Sequence, residues 1–118
     1  MGTVKEIIKA MTLEQKAAQL VQIPYAQVGR EKAIEWAKRG AGSFLHVFGD
    51  DARELQKIAI KSGAHIPLLF GIDAVHGHCL NRKATVFPTQ LSMACSFDPE
   101  LVKRMAAATA KEISADGL

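Results

Sequence analysis

The densest group of side chains able to do chemistry is Asp73-Ala74-Val75-His76-Gly77-His78-Cys79. It follows directly on the apolar run Ile66-Pro67-Leu68-Leu69-Phe70-Gly71-Ile72. An unbroken apolar run that stops at a carboxylate reads as a buried parallel strand with Asp73 at its carboxyl end. That end of the strand is where α/β folds assemble their sites. Asp73 is therefore the first candidate site residue. The plainer alternative is a cap or loop carboxylate satisfied by backbone amides.

His76 and His78, two residues apart, point the same way on an extended segment, and Cys79 lies beside them. Such a pair admits a metal reading, because barrel hydrolases use imidazoles in this way for zinc. A closed zinc site needs four ligands and a catalytic one three, and the remaining ligands are not identifiable here. Neither CxxC nor HExxH occurs. Hydrogen-bonded structural histidines are the simpler expectation, with no metal. His46 and His65 are expected to pack or lie at the surface. Cys95 follows an apolar run and is expected to be a small buried residue, not a nucleophile. Trp36 is expected to pack, and Ser43 and Ser92 lack any sign of an activating base. GxSxG, P-loop and GxGxxG motifs are all missing from the sequence.

Composition narrows the class. The 118 residues carry 15 Lys and Arg against 12 Asp and Glu, a net charge of +3, and the basic residues are scattered in pairs. With 48% hydrophobic and 23% charged residues, the chain is of ordinary globular type, which excludes a disordered tail, a collagen-like fibre and a nucleic-acid arm. No window reaches the roughly 18 consecutive apolar residues of a membrane helix. Lys5, Glu6 and Lys9 interrupt the only candidate signal core, so the chain as written is expected to be cytoplasmic, with a periplasmic or secreted precursor left open. Gly2 invites acylation, but Glu6 stands where that motif needs Ser or Thr. Two cysteines are too few for a disulfide scaffold, and both are expected to be free thiols.

The elements that must position these residues alternate. Thr12-Leu13-Glu14-Gln15 is a capping box, predicting a helix from Leu13 to Leu20 that buries Leu13, Ala17 and Leu20. Leu20 to Ile23 reads as a short strand, and Arg30 to Arg39 as a helix stopped by Gly40. Gly42 to Val47 is a nearly apolar strand. Asp50 or Asp51 is expected to cap the next helix, with Leu55, Ile58 and Ala59 inside and Gly63 at its end. After the Ile66 to Ile72 strand comes a long segment without clear periodicity, to Phe97; loops of this length are usually functional. Asp98-Pro99-Glu100 opens the last helix, with Leu101, Val102, Met105, Thr109 and Ile113 on its inner stripe.

Alternating strands and helices predict an α/β fold with parallel strands buried on both faces. The chain stops just as Leu118 would begin another strand, so an α/β chain cut in mid-pattern is expected. A full (β/α)8 barrel takes at least ~200 residues, and this length accommodates only its first part.

Taken together, these motifs resemble the N-terminal part of family 3 glycoside hydrolases, the β-glucosidase and β-xylosidase group. The similar pieces are Pro67 to His78, Ala84-Thr85-Val86-Phe87-Pro88, Ser96 to Val102 and Ala110-Lys111-Glu112 to Gly117. Upstream, Met11 to Lys16 resembles the family's opening helix and Gly42 to Leu45 its second strand. The resemblance implies that residues 1–118 are a partial, truncated N-terminal domain of (β/α)8 TIM-barrel type. It implies a retaining, exo-acting hydrolase of terminal β-linked sugars, most often glucose, with a β-linked oligosaccharide or glucoside as substrate and no cofactor. Asp73 falls on the family's sugar-binding aspartate; a carboxylate suits that role because it accepts hydrogen bonds from two adjacent hydroxyls.

The nucleophile and acid/base are expected beyond Leu118, so no catalytic residue is assigned and the isolated chain is expected to be inactive. No nucleic-acid or membrane partner is expected, but self-association through unfinished sheet edges is. Two alternatives remain: a metal-dependent barrel hydrolase using His76 and His78, and a non-catalytic chain that binds sugar or assembles with a complementary fragment.

Overall fold

Helix capping by threonine sets the start of the chain. Thr3 and Thr12 each accept a backbone N–H three residues on, while Glu6 and Gln15 reach back to the threonine amides. These reciprocal boxes satisfy donors that a helix start leaves open. They open α1 (Val4–Ala10) and α2 (Leu13–Gln19). The computed structural model describes residues 3–118; Gly2, weighed above as an acylation site, lies outside the described residues.

Next come β1 (Gln22–Pro24), α3 (Tyr25–Arg39), β2 (Ser43–Leu45), α4 (Gly49–Lys61) and β3 (Leu69–Gly71). After them stand α5 (Gln90–Ala94) and α6 (Pro99–Ala115). The chain forms two compact units, one through Gly71 and one from Ile72 to Leu118.

In the first unit the strands lie in the order β1-β2-β3, all parallel. Ile23 pairs with Phe44 and Phe44 with Phe70, so one register row crosses the sheet. Each crossover carries a helix, as parallel pairing requires. Phe44 and Leu55 are fully buried, and Ala33, Ala37, Ala52 and Ala59 line the inner faces of α3 and α4. Alanine at those positions lets the helices approach the strands closely. The α/β class with parallel strands is thus the observed one, and no described helix is long and apolar enough to cross a membrane.

Several local expectations are corrected. Leu13 and Leu20 are 82% and 89% exposed, and α2 instead buries Ala18. Ala17, also expected inside, is exposed, and the end of α2 lies directly against Gly42: the Ala18 carbonyl accepts the Gly42 N–H at 3.1 Å, and a Cβ on Gly42 would run into the Gln19 carbonyl. The strands are not all buried on both faces: Leu69, on edge strand β3, is 74% exposed. Helix α3 starts at Tyr25, not Arg30, and breaks at Gly29 (φ 76°), so the expected Arg30 start is the second of two joined segments. Helix α4 starts after Phe48 with no side-chain cap. Asp50 and Asp51 sit in its first turn instead, where their charge complements the positive end of the helix dipole. Trp36 packs under the Arg39 guanidinium, 4.9 Å from its ring centre.

Two polar devices tie the helices to the sheet and to each other. Gln56 on α4 accepts the Leu68 N–H at 2.7 Å and donates to the Leu68 carbonyl at 3.3 Å. It thereby replaces a strand neighbour at the entrance to β3. Tyr25 donates its phenol to Asp51 at 2.6 Å, and Arg30 donates to both Glu54 oxygens at 2.7 and 2.8 Å. Burial, then the bond to Asp51, pushes the Tyr25 phenol up to about 12. The Glu54 carboxylate likewise raises Arg30.

Replacing Gln56 by Leu strands the Leu68 amide and carbonyl, and is expected to cost about 2 kcal/mol in chemical denaturation. Tyr25 is the sole tyrosine, so its phenolate absorbance reads it alone. The titration midpoint is expected near 12 and to fall towards 10 in Asp51→Asn. Because the folded phenol has the raised value, its contribution to stability is complete below pH 10 and lost as pH climbs towards 12.

Candidate functional site

Chain order places Asp73 two residues after Gly71, the last residue of β3. Its side chain is exposed. The segment that follows lacks regular structure, and it closes on itself. The Phe87 N–H donates to the His76 carbonyl at 2.7 Å, and the His76 ring donates through Nδ1 to the Phe87 carbonyl at 2.8 Å. Bridges link Gly77 to Val75 and to Val86. Gly77 is buried at φ 106°, and a Cβ there would run into the Thr85 carbonyl. Only glycine meets both demands, since the left-handed region disfavours side chains and the space is already filled.

Helix α6 anchors this loop. Asp98 caps its start, accepting the Leu101 N–H at 2.9 Å, with Pro99 in the first turn. The helix then runs for 17 residues and is capped at its far end by Asp116. Asp116 Oδ2 accepts two bonds from the loop: His78 Nε2–H at 2.9 Å and the Asn81 side-chain amide at 2.6 Å. One turn earlier, on the same face, Glu112 accepts the Thr85 N–H at 2.9 Å and its hydroxyl at 2.7 Å. The His78 ring is fully buried. A carboxylate at a helix C-terminus opposes the dipole by about 0.3–1 kcal/mol. The donors from His78 and Asn81 offset that cost.

Both histidines are therefore hydrogen-bonded within the fold, His76 to backbone and His78 to a side chain. Cys79 lies 3.9 Å from His76 Nδ1 and donates to the Gly77 carbonyl at 3.3 Å. Among the described residues, no three of His, Cys, Asp and Glu gather as a set able to hold a metal ion. Cys79 and Cys95 are free thiols and both are exposed, which corrects the buried reading of Cys95. The short helix α5 places Cys95 at its end, outside any core. His65 is exposed and bonds the Ile60 carbonyl, and His46 is half-buried at φ 59°.

Sequence reasoning missed Glu112, Asp116 and Asn81. A signal was available: two acids four apart in the last turns of a helix work against the dipole and call for donors from elsewhere. A groove of 750 Å³ runs between the 74–77 segment, α5 and α6. Val75, Phe87, Met93, Phe97, Val102 and Met105 dominate its walls. Such a lining suits apolar packing and offers little to sugar-like hydroxyls.

Comparison with known proteins gives the context of this site. Residues 12–118 match the family model described as the glycosyl hydrolase family 3 N terminal domain. The chain is 34% identical over 119 residues to a periplasmic β-glucosidase of Salmonella typhimurium, covering 98% of this chain and 15% of that protein. It is 34% identical over 83 residues to a lysosomal β-glucosidase of Dictyostelium discoideum, covering 66% of this chain and 10% of that protein. Among solved structures, an exo-1,3/1,4-β-glucanase from a Pseudoalteromonas species superposes with a TM-score of 0.82 at 31% identity. That match covers 97% of this chain and 21% of the glucanase. The chain thus spans about a fifth or less of the length of these relatives.

Gly77→Ala is expected to be the most damaging single-methyl addition in the loop, lowering stability by about 3 kcal/mol through strain and overlap with Thr85. Thermal melts of this variant beside Ala74→Gly check it. Equal melting temperatures for Gly77→Ala and the unmodified chain would contradict the geometry.

Proposed function

The chain belongs to glycosyl hydrolase family 3, and on that premise we propose that it is the N-terminal barrel portion of a β-glycosidase, with Asp73 as a sugar-binding residue. The observation that carries the reading is an exposed carboxylate just past the carboxyl end of a parallel strand, in a chain matched to this family along most of its length. Active sites of (β/α)8 barrels are built from residues at those strand ends. A carboxylate there accepts hydrogen bonds from two neighbouring hydroxyls of a terminal sugar ring.

In this reading residues 1–118 form part of one barrel domain. The parent enzyme removes terminal, non-reducing β-linked sugars, most often glucose, with retention. Retention requires two carboxyl groups about 5–5.5 Å apart, one acting as nucleophile and the other as acid and base. Neither is assigned to this chain, and the isolated chain is expected to be inactive. The names of the relatives favour β-linked glucosides or glucans as substrates, and the name of the Salmonella relative favours a periplasmic setting for the precursor. Self-association is expected of the isolated chain, since Phe97, Leu20 and Leu69 are largely exposed and β3 is a sheet edge. The metal-dependent alternative has weaker support, because His76 and His78 already spend ring nitrogens on Phe87 and Asp116.

The test is kinetic, on the full-length enzyme with an aryl β-glucoside. A hydrogen bond to a charged group is worth about 1.5–3 kcal/mol, so Asp73→Asn is expected to lower kcat/KM about 10- to 100-fold. An unchanged kcat/KM overturns the assignment of Asp73. Turnover by the purified 118-residue chain overturns its proposed inactivity.

A further inference from the structure

We propose that His78 and Asp116 are positioning residues for Asp73, acting by fixing the short segment that joins them to it. The proposal rests on the reading of Asp73 as the sugar-binding carboxylate. Three observations carry it. First, His78 is the bulkiest fully buried side chain among the described residues of the second unit, and its ring donates to Asp116 at 2.9 Å. Burial of this kind fixes a ring in one orientation.

Second, the constraint passes back along the chain from His78 as far as Val75. Gly77 is locked by its backbone conformation and the Thr85 carbonyl. His76 is held on both its carbonyl and its ring by Phe87, and the Val75 carbonyl accepts the Gln90 side chain at 3.3 Å. Only Ala74 then separates this fixed run from Asp73.

Third, Asp116 is poorly chosen for its own helix. A carboxylate at a C-terminus works against the dipole, whereas one that receives two loop donors serves the loop. Glu112 grips the far side of the same loop at Thr85, so the segment after Asp73 is pinned at two points on one helix face. A carboxylate that must meet two hydroxyls at fixed angles gains from such a support, because small displacements weaken both bonds together.

The experiment compares variants in the full-length enzyme with an aryl β-glucoside, reading KM and kcat separately. His78→Leu and Asp116→Ala remove the buried bond and are expected to raise KM about tenfold while kcat changes less. His78→Gln keeps an N–H near the Nε2 position, and Asp116→Asn keeps an acceptor; both are expected to recover most of the loss. Asn81→Ala removes the second bond to Asp116, together with the Lys83 N–H that Asn81 Oδ1 accepts, and is expected to raise KM about threefold; it carries the comparison if the first two variants do not fold.

The decisive arm combines each substitution with Asp73→Asn. If the pair acts through Asp73, the KM penalty disappears in that background; a penalty of the same size in both backgrounds overturns the proposal. Wild-type KM in all three bond-removing variants, beside an impaired Asp73→Asn, overturns the positioning role alone. Wild-type kinetics in Asp73→Asn overturns the reading of Asp73 and this proposal with it.

Discussion

A loop without repeating backbone hydrogen bonds must satisfy its polar groups with side chains, and in the second unit two carboxylates on α6 meet that requirement. Asp116 takes His78 and Asn81, and Glu112 takes the amide and hydroxyl of Thr85. The arrangement is possible because α6 is long and regular. Asp98 and Pro99 fix where it begins, and the helical repeat then sets Glu112 and Asp116 on one face. Cap, helix length and loop conformation are therefore one problem, in which a shift of the helix start would rotate both acids away from their donors.

The first unit solves a different problem by a related means. Three short parallel strands bury little surface by themselves, and alanines on α3 and α4 bring the helices close enough to cover Phe44 and its neighbours. Where strand pairing runs out, side chains substitute for it. Gln56 pairs with both polar groups of Leu68, and Tyr25 and Arg30 join the two helices through Asp51 and Glu54. Exposed pairs such as Arg30–Glu54 add little to stability. The half-buried Tyr25–Asp51 bond and the Gln56 clamp matter more, because their partners have less access to water.

For function, the important feature is the change of role along a few residues. Up to Gly71 the chain is a strand paired to β2, with Leu68 buried at its entrance; from Asp73 it offers a carboxylate and two histidines. In the proposed reading this boundary carries a sugar-binding carboxylate, and such a group gains from a stiff support behind it. Membership of glycosyl hydrolase family 3 gives the boundary a chemical context, and the buried His78 ring stiffens the loop that follows.

The sequence by itself determined the alternation of the three strands with α2, α3, α4 and α6, the parallel α/β class and the Thr12 capping box, because each depends on patterns a few residues long; the short helices α1 and α5 were not legible in it. The family, too, was legible from ordered motifs such as Pro67 to His78. Burial was less legible. Leu13 and Leu20 looked like a buried stripe, yet both are exposed, and α2 buries Ala18, whose carbonyl accepts the Gly42 N–H beside β2. Cys95 looked buried because its neighbours are apolar, but a short helix leaves it outside. Above all, the partner of His78 lies 38 residues away along the chain. Residue types and local spacing do not specify which distant carboxylate a ring will meet; only the packing of α6 against the loop brings Asp116 within hydrogen-bond reach.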